Sequence, residues 1–442
     1  MKKQIAVVSI LIFCVANFIL FSAGKQETVT LPSSVSVIMP RIAVSGGYPD
    51  LITDYEKKNP GIKVNLLMLP EQGYEQKVML ELGRKGDAYD VVWANNTANQ
   101  RYSKEGWLEA LEPFINNQKL TDAKDFNFSD LKNTGMFTEG GKLYALPAMN
   151  ATCMMYYRTD IFAKNGITSP PANFDQLIDV CKKIHSTDVA AVAMRGSRAR
   201  AGLMWPFPYV AHSFGARFVK DYPKDMHPVI DSPEMIRAVE FYANLLQKYG
   251  FPGATTAHFA EVVQATQQGK AAIMMDGAPL AGRILDPEKS AVVGKIGFAM
   301  LPAGPVDRWP PASAHGLTIP VGSKNKEGGW HFMQWALSKE TQLKNGLQNN
   351  ETALTRTSVL EDPEYKKKFN WGDGAYLKAL SDTFAVLKPY YYPLSPEWDA
   401  VYDLMSIGVS DVITGQSDAK TAMSKVNAQA KEIYKKAGYF TD

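Results

Sequence analysis

The sequence predicts an α/β protein of two domains built on doubly wound, largely parallel sheets. Three observations carry that reading. Short apolar strands alternate with amphipathic helices along the first part of the chain, the pattern that covers a parallel sheet with helices. The chain has 442 residues, more than one small domain needs. Its 45% apolar and 21% charged residues are the composition of a globular protein.

The start of the chain stands apart. Lys2 and Lys3 precede an apolar run over 5–21, and Ser22, Ala23 and Gly24 follow with small side chains. This reads as a secretory signal peptide over 1–24, cleaved on export. An uncleaved anchor is the alternative, since the run approaches the roughly 20 residues a bilayer needs. Phe13 is too large to precede a lipidated Cys14, so a free exported protein is expected. The formal net charge is +3, two of it from Lys2 and Lys3, which gives no argument for nucleic acid or an anionic membrane. Cys153 and Cys181 lie in apolar segments and are expected as small core residues rather than a disulfide framework.

Residues 35–39 read as the first strand and 40–47 as a loop. A helix at 50–58 stops at Asn59, Pro60 and Gly61. A strand at 63–68, a helix at 71–82 with Tyr74, Val78 and Leu82 on one face, and a strand at 90–93 follow. In such sheets ligands sit beyond the carboxyl ends of the strands. That points to Arg41 and Ser45, to Glu71 and Gln72, and to Asn95 and Asn96. Arg41 has the alternative of a solvated loop charge, and Glu71 that of a helix N-terminal charge favoured by the dipole.

Gly140 and Gly141 break the chain before an extended stretch at 143–146, and Pro147 offers no ladder N–H. Residues 152–157 form an apolar strand. Pro170 and Pro171 halt the chain before Asn173, an N-cap with Gln176 at capping-box spacing. Phe174, Leu177, Ile178, Cys181 and Ile184 then recur at helical spacing. A strand at 190–194 leads into a loop with Arg195, Arg198 and Arg200, then Trp205, Phe207 and Tyr209. Guanidinium forks and aromatic faces in one loop suit a sugar site, with a proline-rich surface turn as the alternative. Ser232 caps a helix that has Pro233 at its first position. A strand ends in Asp276 and Gly277, and two more run at 295–300 and 316–320. Apolar spacing marks further helices through Trp330, through Trp398, Val401 and Met405, and through Ala422, Val426 and Ala430.

Several stretches in order, GKLYALP, YYRTDIFAKNGITSPPANFDQLIDVCKKI, QQGKAAIMMDGAP and IPVGSKNKEGGWHFMQWALSKETQ, resemble the carbohydrate-binding family of ABC-importer solute receptors, whose best-known member binds maltose. None is a catalytic signature; the likeness rests on many moderate matches along the chain. Within the family, MRG at 194–196, HSFGARF at 212–218 and TRTSVL at 355–360 are most similar to the sorbitol and mannitol receptors.

The resemblance implies a periplasmic-binding-protein-like clamshell of two doubly wound lobes joined by a three-crossing hinge. Lobe one would take 25–148 and 312–362, lobe two 149–311 and 363–442, with crossings near Pro147, Pro310 and Pro363. The lobes would close on ligand as rigid bodies. Asp276 matches the family's aspartate after the Gly-Lys-Ala strand. Trp398 matches its sugar-stacking tryptophan, with core packing as the alternative. Arg41, Glu71, Asn95, Asn96, Asn150, Arg195, Arg200, Trp205 and His315 complete the candidate contacts. Departures accompany the matches. Ala199, Arg200, Ala201, Gly202 and Leu203 stand where the subgroup has Gly-Trp-Gly-Glu-Asn. Ala312, Ser313, Ala314 and His315 stand in place of a tryptophan-rich run, and Ala151 replaces a frequent glutamate.

The function implied is an exported, monomeric receptor that captures a sugar or sugar alcohol and delivers it to membrane permease subunits of an ABC importer, with no cofactor, metal or nucleic acid. An exported glycoside hydrolase is the alternative class. It would need two carboxylates at a set separation, for which Glu71 and Asp276 are the candidates. No metalloprotease, nucleophile-elbow or phosphate-loop motif is present.

Overall fold

A computed structural model describes residues 33–42, 44–199, 202–388 and 391–441. The signal peptide over 1–24 and the contact expected of Arg200 lie outside these residues. Nine strands of the described residues form the two larger sheets. They are β1 (Ser34–Pro40), β2 (Lys63–Leu69), β3 (Val91–Asn95), β4 (Leu146–Ala151), β5 (Cys153–Arg158), β6 (Ala190–Ala193), β7 (Ala271–Gly277), β8 (Ile296–Ala299) and β9 (Ser313–Thr318).

The first sheet runs β2-β1-β3-β9-β4 and the second β8-β5-β7-β6. In the first, Val37 of β1 faces Leu66 of β2 and Val91 of β3, all parallel. The helices α1 (Tyr48–Lys58) and α2 (Glu71–Gly83) make the crossovers that parallel strands require. A third helix, α3 (Asn96–Lys104), starts directly after β3. β9 enters antiparallel between β3 and β4 and sets His315 beside Asn95 and Met149. The extended stretch expected over 143–146 is split: Leu143 ends a two-residue strand paired with Thr138, and the longer strand starts at Leu146 and runs on through Pro147. The ladder shifts register between His315 and Gly316, opposite that proline, where no N–H is available. The second sheet is less parallel than expected. β5 runs antiparallel to both β7 and β8 because it enters straight from β4, with no crossover helix between.

Local signals in the sequence hold their places. Asn173 accepts the Gln176 N–H at 2.9 Å, while the Gln176 amide oxygen reaches Ala172 N, one residue short of a full capping box. Ser232 accepts from Met235 N at its helix start. Cys153 and Cys181 are free and buried.

Two apolar cores follow the two sheets, one per lobe. The first gathers Val37, Ile38, Tyr55, Trp93, Leu317 and Trp330, and the second Met154, Tyr156, Tyr242, Trp398 and Tyr434. The chain passes from first sheet to second at Thr152, between β4 and β5, and returns between β8 and β9. It passes again where Ala353 joins the first core and Leu354 the second. Asn150 N donates to Ala353 O at 2.8 Å and Thr355 Oγ1 to Pro147 O at 2.9 Å, which ties the first and third passages together. Among the described residues no helix is long and apolar enough to cross a membrane.

Candidate ligand-binding site

The carboxyl ends of β1 and β3 open onto a cavity of ≈ 20 Å³. Pro40, Glu75, Asn95, Tyr102 and His315 line it, with Trp93 as its floor. It holds about one water-sized group. Asn95 is both the last residue of β3 and the N-cap of α3; its Oδ1 accepts from Ala98 N at 2.8 Å, which turns its amide nitrogen away from the helix. His315 lies across the ladder from Asn95, and its Nδ1 receives the Trp93 indole N–H at 2.8 Å. Desolvation pushes the His315 pKa down to about 4, so the ring is neutral at ordinary pH. Tyr74 fixes this wall from behind, its hydroxyl donating to Trp93 O.

The second lobe contributes the loop after β6. Arg195 meets Asp276 through Nε to Oδ2 at 2.8 Å and Nη2 to Oδ1 at 2.5 Å. Burial opposes the Arg195 charge, but Asp276 outweighs it and holds the guanidinium above its ordinary range. Tyr242 donates to Arg195 O at 2.5 Å, so the start of the loop is pinned from two sides. The two residues were expected as separate ligand contacts. The structure pairs them, and Asp276 is 0% exposed. Trp205 is half-buried, with its ring edge-on to Tyr391 at 6.3 Å.

Trp398 requires a correction. It was expected to offer a stacking face, yet it is 2% exposed. Phe218, Tyr392 and Tyr402 surround its ring at centroid distances of 4.8, 5.7 and 6.4 Å. Tyr391 and Tyr392, which precede the helix, fold back and donate to Trp205 O and Met204 O, closing that face. The core-packing alternative is the one the structure shows.

The remaining candidates divide. Arg41 is exposed just past β1, and Glu71 opens α2 just past β2, both at the expected edge. Asn96 and Asn150 are buried and occupied internally: Asn96 Oδ1 accepts from Ala314 N at 3.3 Å, and Asn150 Oδ1 from Asn133 Nδ2 at 2.9 Å. Ser45 is likewise consumed, donating to Pro40 O and accepting from Ile42 N. The sequence reading missed Glu75, Tyr102 and the support of Trp93. Glu75 had a findable signal, since it sits within two turns of an expected strand end. Between the lobes, Arg101 of α3 pairs with Asp399, Nη1 to Oδ2 at 3.3 Å.

Two α/β lobes, joined by three passages and meeting over polar strand ends, define a two-lobed binding receptor. The chain belongs to the bacterial extracellular solute-binding protein family, which its residues 43–343 match. A mannitol-binding protein from Pseudomonas aeruginosa is 25% identical over 403 residues, covering 87% of this chain and 89% of that protein. An erythritol/L-threitol-binding protein from Mycolicibacterium smegmatis is 24% identical over 425 residues, covering 89% and 86%. Among solved structures, an ABC transporter solute-binding protein from Agrobacterium vitis S4 with bound D-mannitol superposes with a TM-score of 0.80 at 27% identity. It covers 92% of this chain and 99% of that one.

Proposed function

We propose that this receptor captures a sugar alcohol, or a small sugar, between its lobes and presents it to the permease of an ABC importer. The observation that carries the reading is the D-mannitol-bound relative, matched along 92% of this chain. The polar wall of Asn95 and His315 supports it, since each carries a group that hydrogen-bonds a hydroxyl.

On this reading the protein is exported with loss of 1–24 and acts as a monomer. Lobe one comprises 25–148 and 312–362, lobe two 149–311 and 363–442. Arg356 and Ser358, both bonded to Asp130, support keeping the segment before Pro363 with lobe one. The ligand contacts are Asn95, His315 and the arginine-rich loop, with Trp205 as the stacking candidate. Catalysis is no part of the reading: Asp276, one of the two carboxylates a hydrolase would need, is fully buried and held by Arg195.

A thermal-shift series with D-mannitol, ribitol, erythritol, maltose and glucose tests this. Ligand at one hundred times its Kd stabilises the folded state by about 2.7 kcal/mol. The polyols should raise Tm, and a series in which none does would reject the proposal.

A further inference from the structure

We infer that Trp93 holds His315 as the tautomer with its proton on Nε2, making His315 a standing, uncharged hydrogen-bond donor to one hydroxyl of the captured polyol. This rests on the proposed polyol reading and adds to it how one ligand oxygen is recognised.

An indole N–H only donates. Its 2.8 Å contact with His315 Nδ1 therefore requires a lone pair on that nitrogen. A neutral imidazole with an unprotonated Nδ1 carries its proton on Nε2. Protonating Nδ1 would set two N–H groups head to head, so the same contact resists formation of the imidazolium. Nε2 has no acceptor among the described residues, and the ring borders the cavity.

The groups facing the ring come from each neighbouring element. They are Trp93 and Asn95 of β3, Tyr74 and Glu75 of α2, Tyr102 of α3 and Met149 of β4. Glu75 is the charged one and would favour a cation. Desolvation by burial lowers the His315 pKa to about 4. The space beside the ring, ≈ 20 Å³, is enough for one hydroxyl oxygen. The sequence offers the position both as a candidate contact and as a departure from a tryptophan-rich run. The partner that gives it meaning lies 222 residues away.

Histidine-selective 15N labelling of the full mature protein tests the tautomer directly. The His315 signals, identified by their loss in His315→Gln, should show an unprotonated Nδ1 and a protonated Nε2, unchanged from about pH 5.5 to pH 8. Trp93→Phe, which removes the indole N–H, should mix the tautomers. With D-mannitol as probe, or whichever of ribitol and erythritol saturates the wild type, His315→Gln keeps a donor at the ε position and should bind within about threefold of wild type. His315→Leu should lose about tenfold. An Nδ1-protonated ring, or His315→Leu binding as wild type does, would overturn this inference and leave the polyol reading standing. A wild type that none of the three polyols saturates would overturn both. The wild-type spectrum and the two His315 variants decide the matter even if Trp93→Phe does not fold.

Discussion

Arg195 and Asp276 form a two-point ion pair, Nε to Oδ2 at 2.8 Å and Nη2 to Oδ1 at 2.5 Å, in which both side chains are buried. Asp276 also accepts from Gly277 N at 2.6 Å, so the carboxylate is shared between the end of β7 and the loop leaving β6. Removing one partner of such a pair leaves a buried, uncompensated charge, at a cost of about 3–5 kcal/mol. Asp276→Ala should therefore lower apo stability in urea by about that much, whereas Arg195→Met combined with Asp276→Leu should lose less than Asp276→Ala alone. Near-wild-type stability of Asp276→Ala would contradict the pairing.

Trp398 gives a second test. Its ring is enclosed by Phe218, Tyr392 and Tyr402, so Trp398→Ala should cost about 3–5 kcal/mol of apo stability. Polyol affinity of the folded fraction should fall less than tenfold. Unchanged apo stability with affinity abolished would return Trp398 to the cleft wall.

These two residues show where the sequence was legible and where it was not. Helical spacing put Tyr74, Val78 and Leu82 on one face, and all three are buried. The caps at Asn173 and Ser232 are local and were readable as such. Trp398 sat on the apolar side of a helix, and helical spacing alone could not say what covers it. Its cover comes from Phe218 and from Tyr392, the latter ahead of its own helix. The Arg195–Asp276 pairing spans 81 residues, from one strand's end to another's, and no local pattern encodes it. Strand ends are readable in the sequence as the edge where polar side chains gather. Which of their side chains the fold itself consumes, as it does Ser45, Asn96 and Asn150, depends on long-range partners.

Glu351 sets a pH dependence. It is buried where the third passage leaves the first core, with Oε1 accepting from Thr352 N at 2.8 Å and Ala353 N at 2.7 Å. Burial pushes its pKa up to about 7, against those two hydrogen bonds and the charge of Arg283. The fold thus holds the proton more tightly than the unfolded chain does. The stability contribution is full below the ordinary value of 4.5 and is lost as pH rises through about 7. Relative to wild type, Glu351→Gln should gain stability from about pH 5 to pH 8, as measured by urea midpoints. His212, at about 4, titrates in the opposite sense and cancels in the difference. A difference that does not change with pH would contradict the buried carboxyl.

Arg101 and Asp399 join the lobes across the cleft at 3.3 Å, both partly exposed. Such a pair contributes about 0.2–1 kcal/mol and weakens with salt. In a double-mutant cycle on Arg101→Gln and Asp399→Asn, D-mannitol affinity should show a coupling of that size, smaller at high salt. Zero coupling at low salt would remove the pair from the closing motion.

The claim that the chain is a sugar-alcohol receptor is tested most directly by calorimetric titration of the mature protein with D-mannitol. A saturable one-to-one isotherm that is absent for maltose is the result expected. Saturation by maltose with no heat from D-mannitol, ribitol or erythritol would contradict it.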